Sequence, residues 1–297
     1  MKNNSEKLLL IISIIFIILG VGIFLYPSIS NYLAEKNHIN IIRNYDDLIV
    51  KIDEEKINEE KEKAKIYNEN LSGDPVHDPF VIGSGYALPE NYKEVLNVGD
   101  DGVMGYVEIP KISVYLPIYH GTSDEVLEKG VGHIQNTSVP IGGKSTHSVL
   151  TGHTGLPNAE LFTRLDELGI GDIFYIHVLD DVLTYKVFET KVILPDKIDE
   201  LQILNGKDYV TLVTCTPYGV NSHRLLVKAE RVEYEEYSVT KSTTDEEGTD
   251  TKNESPSKHY YLTGTQIGIV LLVLILTIVS IIGISIRRKK NLYKIKK

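Results

Sequence analysis

The sequence predicts a mainly β domain, a closed or partly closed barrel, with helices on its N-terminal side and an apolar membrane span at either end of the chain. Three observations predict it. Between Gly102 and Tyr234 seven short β-like runs follow one another, interrupted by a single helical pattern. Residues 8–26 and 267–286 carry no charged side chain and match the roughly 20 residues a helix needs to cross a bilayer. Residues 31–72 combine helical spacing with dense charge, the pattern of a stalk.

Residues 1–7 and 8–26 read as a short cytoplasmic end followed by an uncleaved transmembrane helix. The apolar stretch exceeds the roughly 7 to 15 residues of a signal peptide, and no small-x-small cleavage site follows Tyr26-Pro27. The second helix, 265–286, leads into the basic tail 287–297, which holds seven basic residues and no acidic one. The positive-inside bias places that tail in the cytoplasm. A two-pass chain with both ends inside puts everything between the spans outside the cell. Removing the +1 of residues 1–7 and the +7 of residues 287–297 from the formal total of −10 leaves −18 for that part. Such an acidic surface repels nucleic acid.

In the stalk, Ile41, Tyr45, Leu48 and Ile52 recur at helical intervals and read as a start packed on something, and the charged run Asp53–Lys65 reads as a solvated end. The β-like runs are 103–109, 114–118, 148–151, 173–178, 183–192, 209–214 and 225–232, with Asp180-Asp181 as a hairpin turn. Among them a helix is expected from Asn158, with Leu161, Phe162, Leu165 and Leu168 as its apolar stripe and Gly169 and Gly171 as its stop. Residues 101–236 are long enough to bury one core. Residues 237–264 include Ser238–Lys258, almost without apolar side chains, and read as a disordered tether.

Cys215 is the only cysteine, so a disulfide within the chain is excluded. An inert buried thiol, a thiol that pairs with another molecule and a nucleophile all remain open. A nucleophilic thiol requires a base or cation beside it, since the thiolate is the attacking species. Among nine histidines, His153 ends a short apolar strand at a Gly-rich turn, a position from which a side chain projects into a cleft. His147 lies six residues earlier, about 20 Å away in an extended strand, so the two cannot serve one site. Arg224 stays protonated at neutral pH and suits carbonyl or oxyanion stabilisation. Thr214 is a candidate for oxyanion support as well as an ordinary strand residue. No metal-binding spacing is present in the sequence, and no cofactor is implied.

The segment TLVTCTPYGVNSHRLLV (211–227) resembles the TLxTC…R signature of sortases, and STHSVLTGHTGLPNAELFTRL (145–165) is similar to the His-bearing segment of class C sortases, the pilin polymerases of Gram-positive bacteria. The resemblance implies an eight-stranded sortase-type β-barrel at the cell membrane, with Cys215 as nucleophile, His153 as general acid/base and Arg224 as the substrate-orienting cation. Asp78-Pro79-Phe80, within residues 73–100, matches the Asp-Pro-aromatic lid of class C members. It implies Asp78 beside Arg224 and Phe80 over Cys215.

The implied reaction is transpeptidation of a pilin with an LPxTG-like sorting signal onto an acceptor pilin lysine, by an enzyme held in membrane lipid. Anchoring of surface proteins to the cell wall is the alternative. Unperturbed pKa values give about 3 % thiolate and about 25 % imidazolium at pH 7, so independent titration leaves under about 1 % of molecules competent.

Overall fold

The computed structural model describes residues 2–71 and 91–233, apart from the side chains of a few of them. Among the described residues the chain divides into two compact units, residues 2–32 and residues 33–71 with 91–233. Helix α1 (Lys2–Lys51) begins in the first. There Ile11, Ile14, Ile15, Phe16, Ile18, Leu19 and Ile23 are exposed, an apolar surface suited to lipid. It is the single candidate membrane span among the described residues. The expected second span and the tether lie outside them, as do Asp78 and Phe80.

In the second unit α1 ends at Lys51 and α2 (Glu54–Glu69) follows after a two-residue break. The start of the expected stalk packs as its spacing implies, but its charged end is not solvated and belongs to the globule as well. Ile42, Tyr45 and Ile49 of α1 and Ile57, Ala64 and Tyr67 of α2 are buried in the main core. The charged run hides this, because its apolar residues are few and spaced to one face. Polar ties fix the packing. The Tyr45 hydroxyl donates to Met104 O at 3.2 Å and accepts Leu179 N–H at 2.8 Å. Asn68 exchanges two hydrogen bonds with the Val139 backbone, at 3.2 and 2.8 Å.

Eight strands close a barrel: β1 (Val103–Ile109), β2 (Val114–His120), β3 (Val131–His133), β4 (Thr146–Thr151), β5 (Ile173–Val178), β6 (Asp181–Ile193), β7 (Asp208–Thr216) and β8 (His223–Val232). Their order around it is β1-β2-β3-β4-β7-β8-β6-β5. The seven expected runs all form. The eighth, β3, has three residues, too few to show a period of its own. It is preceded by the short helix α3 (Asp124–Leu127) and pairs parallel with β2 and antiparallel with β4. Strand β5 shows the alternation plainly: Phe174, Ile176 and Val178 are buried, while Ile173, Tyr175 and His177 are half-exposed.

Two local expectations change. The β5–β6 turn is Leu179-Asp180, not Asp180-Asp181: Asp181 already pairs with Val178, and Leu179 takes the left-handed conformation at φ 50°. Lys61 of α2 holds Asp180 and Asp181 at 2.6 Å each. The helix expected from Asn158 is absent, leaving turns and a 3-10 turn at Leu165–Glu167. Leu161, Phe162, Leu165 and Leu168 are buried as their stripe implied. Leu161 sits at φ 39°, and the Phe162 N–H bonds His153 O at 3.1 Å, so the chain folds back on the preceding turn instead of coiling.

Candidate active site

Strand register builds the site. β4 and β7 run parallel, with Thr151 opposite Val213, and β7 and β8 run antiparallel, with Val213 opposite Leu226 and Cys215 opposite Arg224. Val149, Val213 and Leu226 form a second apolar cluster with Ile134 and Leu201. Side chains two residues further along a strand return to the same face. Cys215 and Arg224 therefore form the next row beyond that cluster, with Cβ atoms roughly 5 Å apart as for any directly opposed pair. His153 stands two residues past Thr151, just beyond the last pair of β4 with β7 and next to the strand end that carries Cys215. His147, at the other end of β4, bonds Gln202 O and Thr211, as the separation in sequence required.

The His153 turn is fastened on three sides. Gly152 N–H donates to Val213 O at 3.1 Å, Phe162 N–H donates to His153 O at 3.1 Å, and the Thr214 hydroxyl donates to Gly152 O at 2.7 Å. Thr214 alternates away from Cys215 and is buried. Its only proton is engaged by Gly152, so this geometry does not supply the expected oxyanion support; Thr214 is a fastener of the histidine turn. Arg224 is buried, and its guanidinium donates to Asn221 O and His223 O at 3.1 Å each, bracing the β7–β8 turn.

Burial holds His153 below the ordinary histidine value, while Asp124 and Glu128, at the α3 helix and its C-cap, push in the opposite direction. Both acids are exposed, so screening keeps their pull modest. Burial thus lowers the imidazolium fraction of His153. The sequence does not single out these acids, because only β3 pairing beside β4 brings α3 to the histidine. Among the described residues no group of three or more His, Cys, Asp or Glu is arranged to hold a metal.

The sortase domain family matches residues 107–232, a stretch holding all three reactive candidates. The chain is 33 % identical to Sortase D of Bacillus subtilis over 131 residues, covering 43 % of this chain and 63 % of that protein. It is 26 % identical to Sortase A of Bacillus anthracis over 231 residues, 77 % of this chain and 97 % of that one. Among solved structures, Streptococcus pneumoniae Sortase C, described for catalysis and pilin substrate specificity, is 42 % identical. The match has a TM-score of 0.61 and covers 66 % of this chain and 97 % of that one. Sortase C-1 of Actinomyces oris is 48 % identical, with a TM-score of 0.57, over 60 % and 99 % of the two chains. A closed eight-stranded barrel carrying Cys215 opposite Arg224 and beside the His153 turn, together with these matches, makes the chain a member of the sortase family of transpeptidases, class C.

Proposed function

We propose that the protein polymerises pilins. The Cys215 thiolate attacks the Thr carbonyl of an LPxTG-like sorting signal, forming an S–C bond, and Arg224 stabilises the oxyanion. The Thr–Gly C–N bond breaks as the His153 imidazolium gives its proton to the departing amine. A lysine ε-amine of a second pilin then attacks the thioester and yields its proton to His153. The thiolate leaves, and an isopeptide bond remains. What supports this reading is the registered Cys215–Arg224 pair together with the hydrogen bonds that tie the His153 turn to the same end of β7. The likeness to a Sortase C described for pilin specificity supports the substrate class.

Asp78 and Phe80 form the lid in this reading, Asp78 occupying the Arg224 cation and Phe80 shielding the thiol. The chain crosses the membrane twice, with the barrel outside. The exposed apolar surface of α1 supports the first anchor, and the charge-free run 267–286 with its basic tail supports the second.

The second reading, attachment of single proteins to the cell wall, draws on the match along almost all of a Sortase A. Incubating the full-length chain in detergent micelles with a purified pilin subunit bearing the sorting signal separates the two. A ladder of covalent multimers, abolished when the acceptor lysine is replaced by Ala, is expected. Cleaved monomer with no ladder contradicts polymerisation.

A further inference from the structure

Tyr218 is an exposed aromatic residue, 67 % accessible, in the turn between Cys215 and Arg224. Its ring does not simply point into solvent. A β-carbon built on Gly155 would meet Tyr218 Cε2 at 2.9 Å and Cζ at 3.2 Å, so the ring lies against the Gly155 α-carbon. Gly155 has φ +77°, where a side chain is strained in any case. The site therefore has two loops, one carrying His153 and the other joining Cys215 to Arg224, and an aromatic ring spans between them.

Both sides of this contact are stiff. Pro217 O accepts from Val220 N–H and Asn221 N–H at 3.0 Å each, and Asn221 O accepts from Arg224. On the other side Gly155 N–H donates to the Thr163 hydroxyl at 3.1 Å, and His153 O is held by Phe162. A ring carried by one braced loop and resting on the other sets the distance between them, and misplacement by about 1 Å at a reacting pair costs on the order of 100-fold in rate.

We propose that Tyr218 is a positioning residue of the acyl-transfer site: resting on Gly155, its ring sets the His153 turn against the Cys215–Arg224 pair. The proposal rests on the reading of Cys215 and His153 as the reacting pair. The ring acts by its shape, so Tyr218→Phe restores what Tyr218→Ala loses. Gly155→Ala, which drives a methyl into the ring, reproduces the defect from the other loop.

The test uses the full-length chain in micelles, with two readouts. The first is the rate of Cys215 alkylation by iodoacetamide from pH 5 to 9 without substrate. The second is kcat and KM with a fluorescent Leu-Pro-Xaa-Thr-Gly peptide and an amine acceptor. In the wild type the alkylation profile carries an inflection that His153→Ala removes; its absence from the wild type overturns the underlying reading of the pair. Given that inflection, Tyr218→Ala is expected to shift or erase it and to lower kcat about 10- to 100-fold, with KM within about twofold and the thermal midpoint unchanged. An unaltered alkylation profile in Tyr218→Ala, or a change in KM alone, overturns the positioning role and leaves Tyr218 a substrate contact. A Gly155→Ala variant with the wild-type profile also overturns it.

Discussion

Replacing His153 by Ala is expected to lower transpeptidation by about 100- to 10,000-fold, the usual worth of a positioned general acid/base. Cys215→Ala is expected to leave no turnover above background, since no other thiol exists in the chain. Arg224→Ala is expected to cost about 100- to 1,000-fold, and Arg224→Lys to recover little of it. A lysine offers a point charge without the planar fork that here also braces Asn221 and His223. The three side chains act on one bond-breaking event, so the His153→Ala/Arg224→Ala double variant should lose clearly less than the product of the two single losses. The measurement is single-turnover release of the glycine fragment, with circular dichroism confirming an intact barrel. Multiplicative losses, or His153→Ala within about threefold of wild type, contradict the assignment.

Acidification is expected to loosen the barrel through two histidines that take no part in catalysis. His133 Nε2 faces the carbonyl of Ser138 at 2.8 Å and must donate to it, so Nδ1 accepts from the buried hydroxyl of Tyr92 at 2.9 Å. His147 likewise donates from Nδ1 to Gln202 O at 2.9 Å and accepts at Nε2 from Thr211 at 2.7 Å. Burial lowers His133 to about 3 and His147 to about 4 from the ordinary 6.5. Both rings thus stay neutral in the folded chain while their unfolded counterparts take up protons. Between about pH 6.5 and these lowered values the unfolded state binds more protons, so stability falls as pH falls and is unaffected by either group above that window. At pH 5 the loss is about 2 kcal/mol for each, a large part of a typical folding free energy. Urea unfolding of the full-length chain, followed by tyrosine fluorescence in a protein without tryptophan, should show this drop from pH 7.5 to 5. His147→Gln, which cannot titrate, should reduce it by about 2 kcal/mol. A stability independent of pH over that range contradicts the burial of neutral rings.

The sequence is most informative where contacts are local. Arg224 lies nine residues after Cys215, and the two β-like runs around them, both expected from the sequence, pair antiparallel. The alternation in β7 also sets Thr214 opposite in phase to Cys215, and that period alone argues against oxyanion support. What stays hidden is non-local. Nothing in residues 146–151 announces that β4 will lie parallel to β7, about sixty residues on, and that pairing sets the turn carrying His153 beside the end of β7. His153 is singled out by its resemblance to a known segment. The same holds for Tyr92, whose hydroxyl bonds His133 across forty-one residues: no local pattern announces the contact. The 161–168 stripe is right about burial and wrong about backbone, because an apolar period fixes which side chains face a core and not the φ at Leu161. Tyr218 stands in plain view between the two site residues, but its contact with Gly155 joins two loops and has no sequence period.

The most direct test of the central claim is to trap the acyl-enzyme. The full-length chain is incubated with a Leu-Pro-Xaa-Thr-Gly peptide in the absence of any amine acceptor, quenched in acid, digested and sequenced by mass spectrometry. An adduct ending at the peptide's Thr is expected, carried by the fragment containing Cys215 and absent from Cys215→Ala. Cleavage of the peptide with no adduct at Cys215, or an adduct on another residue, would contradict it.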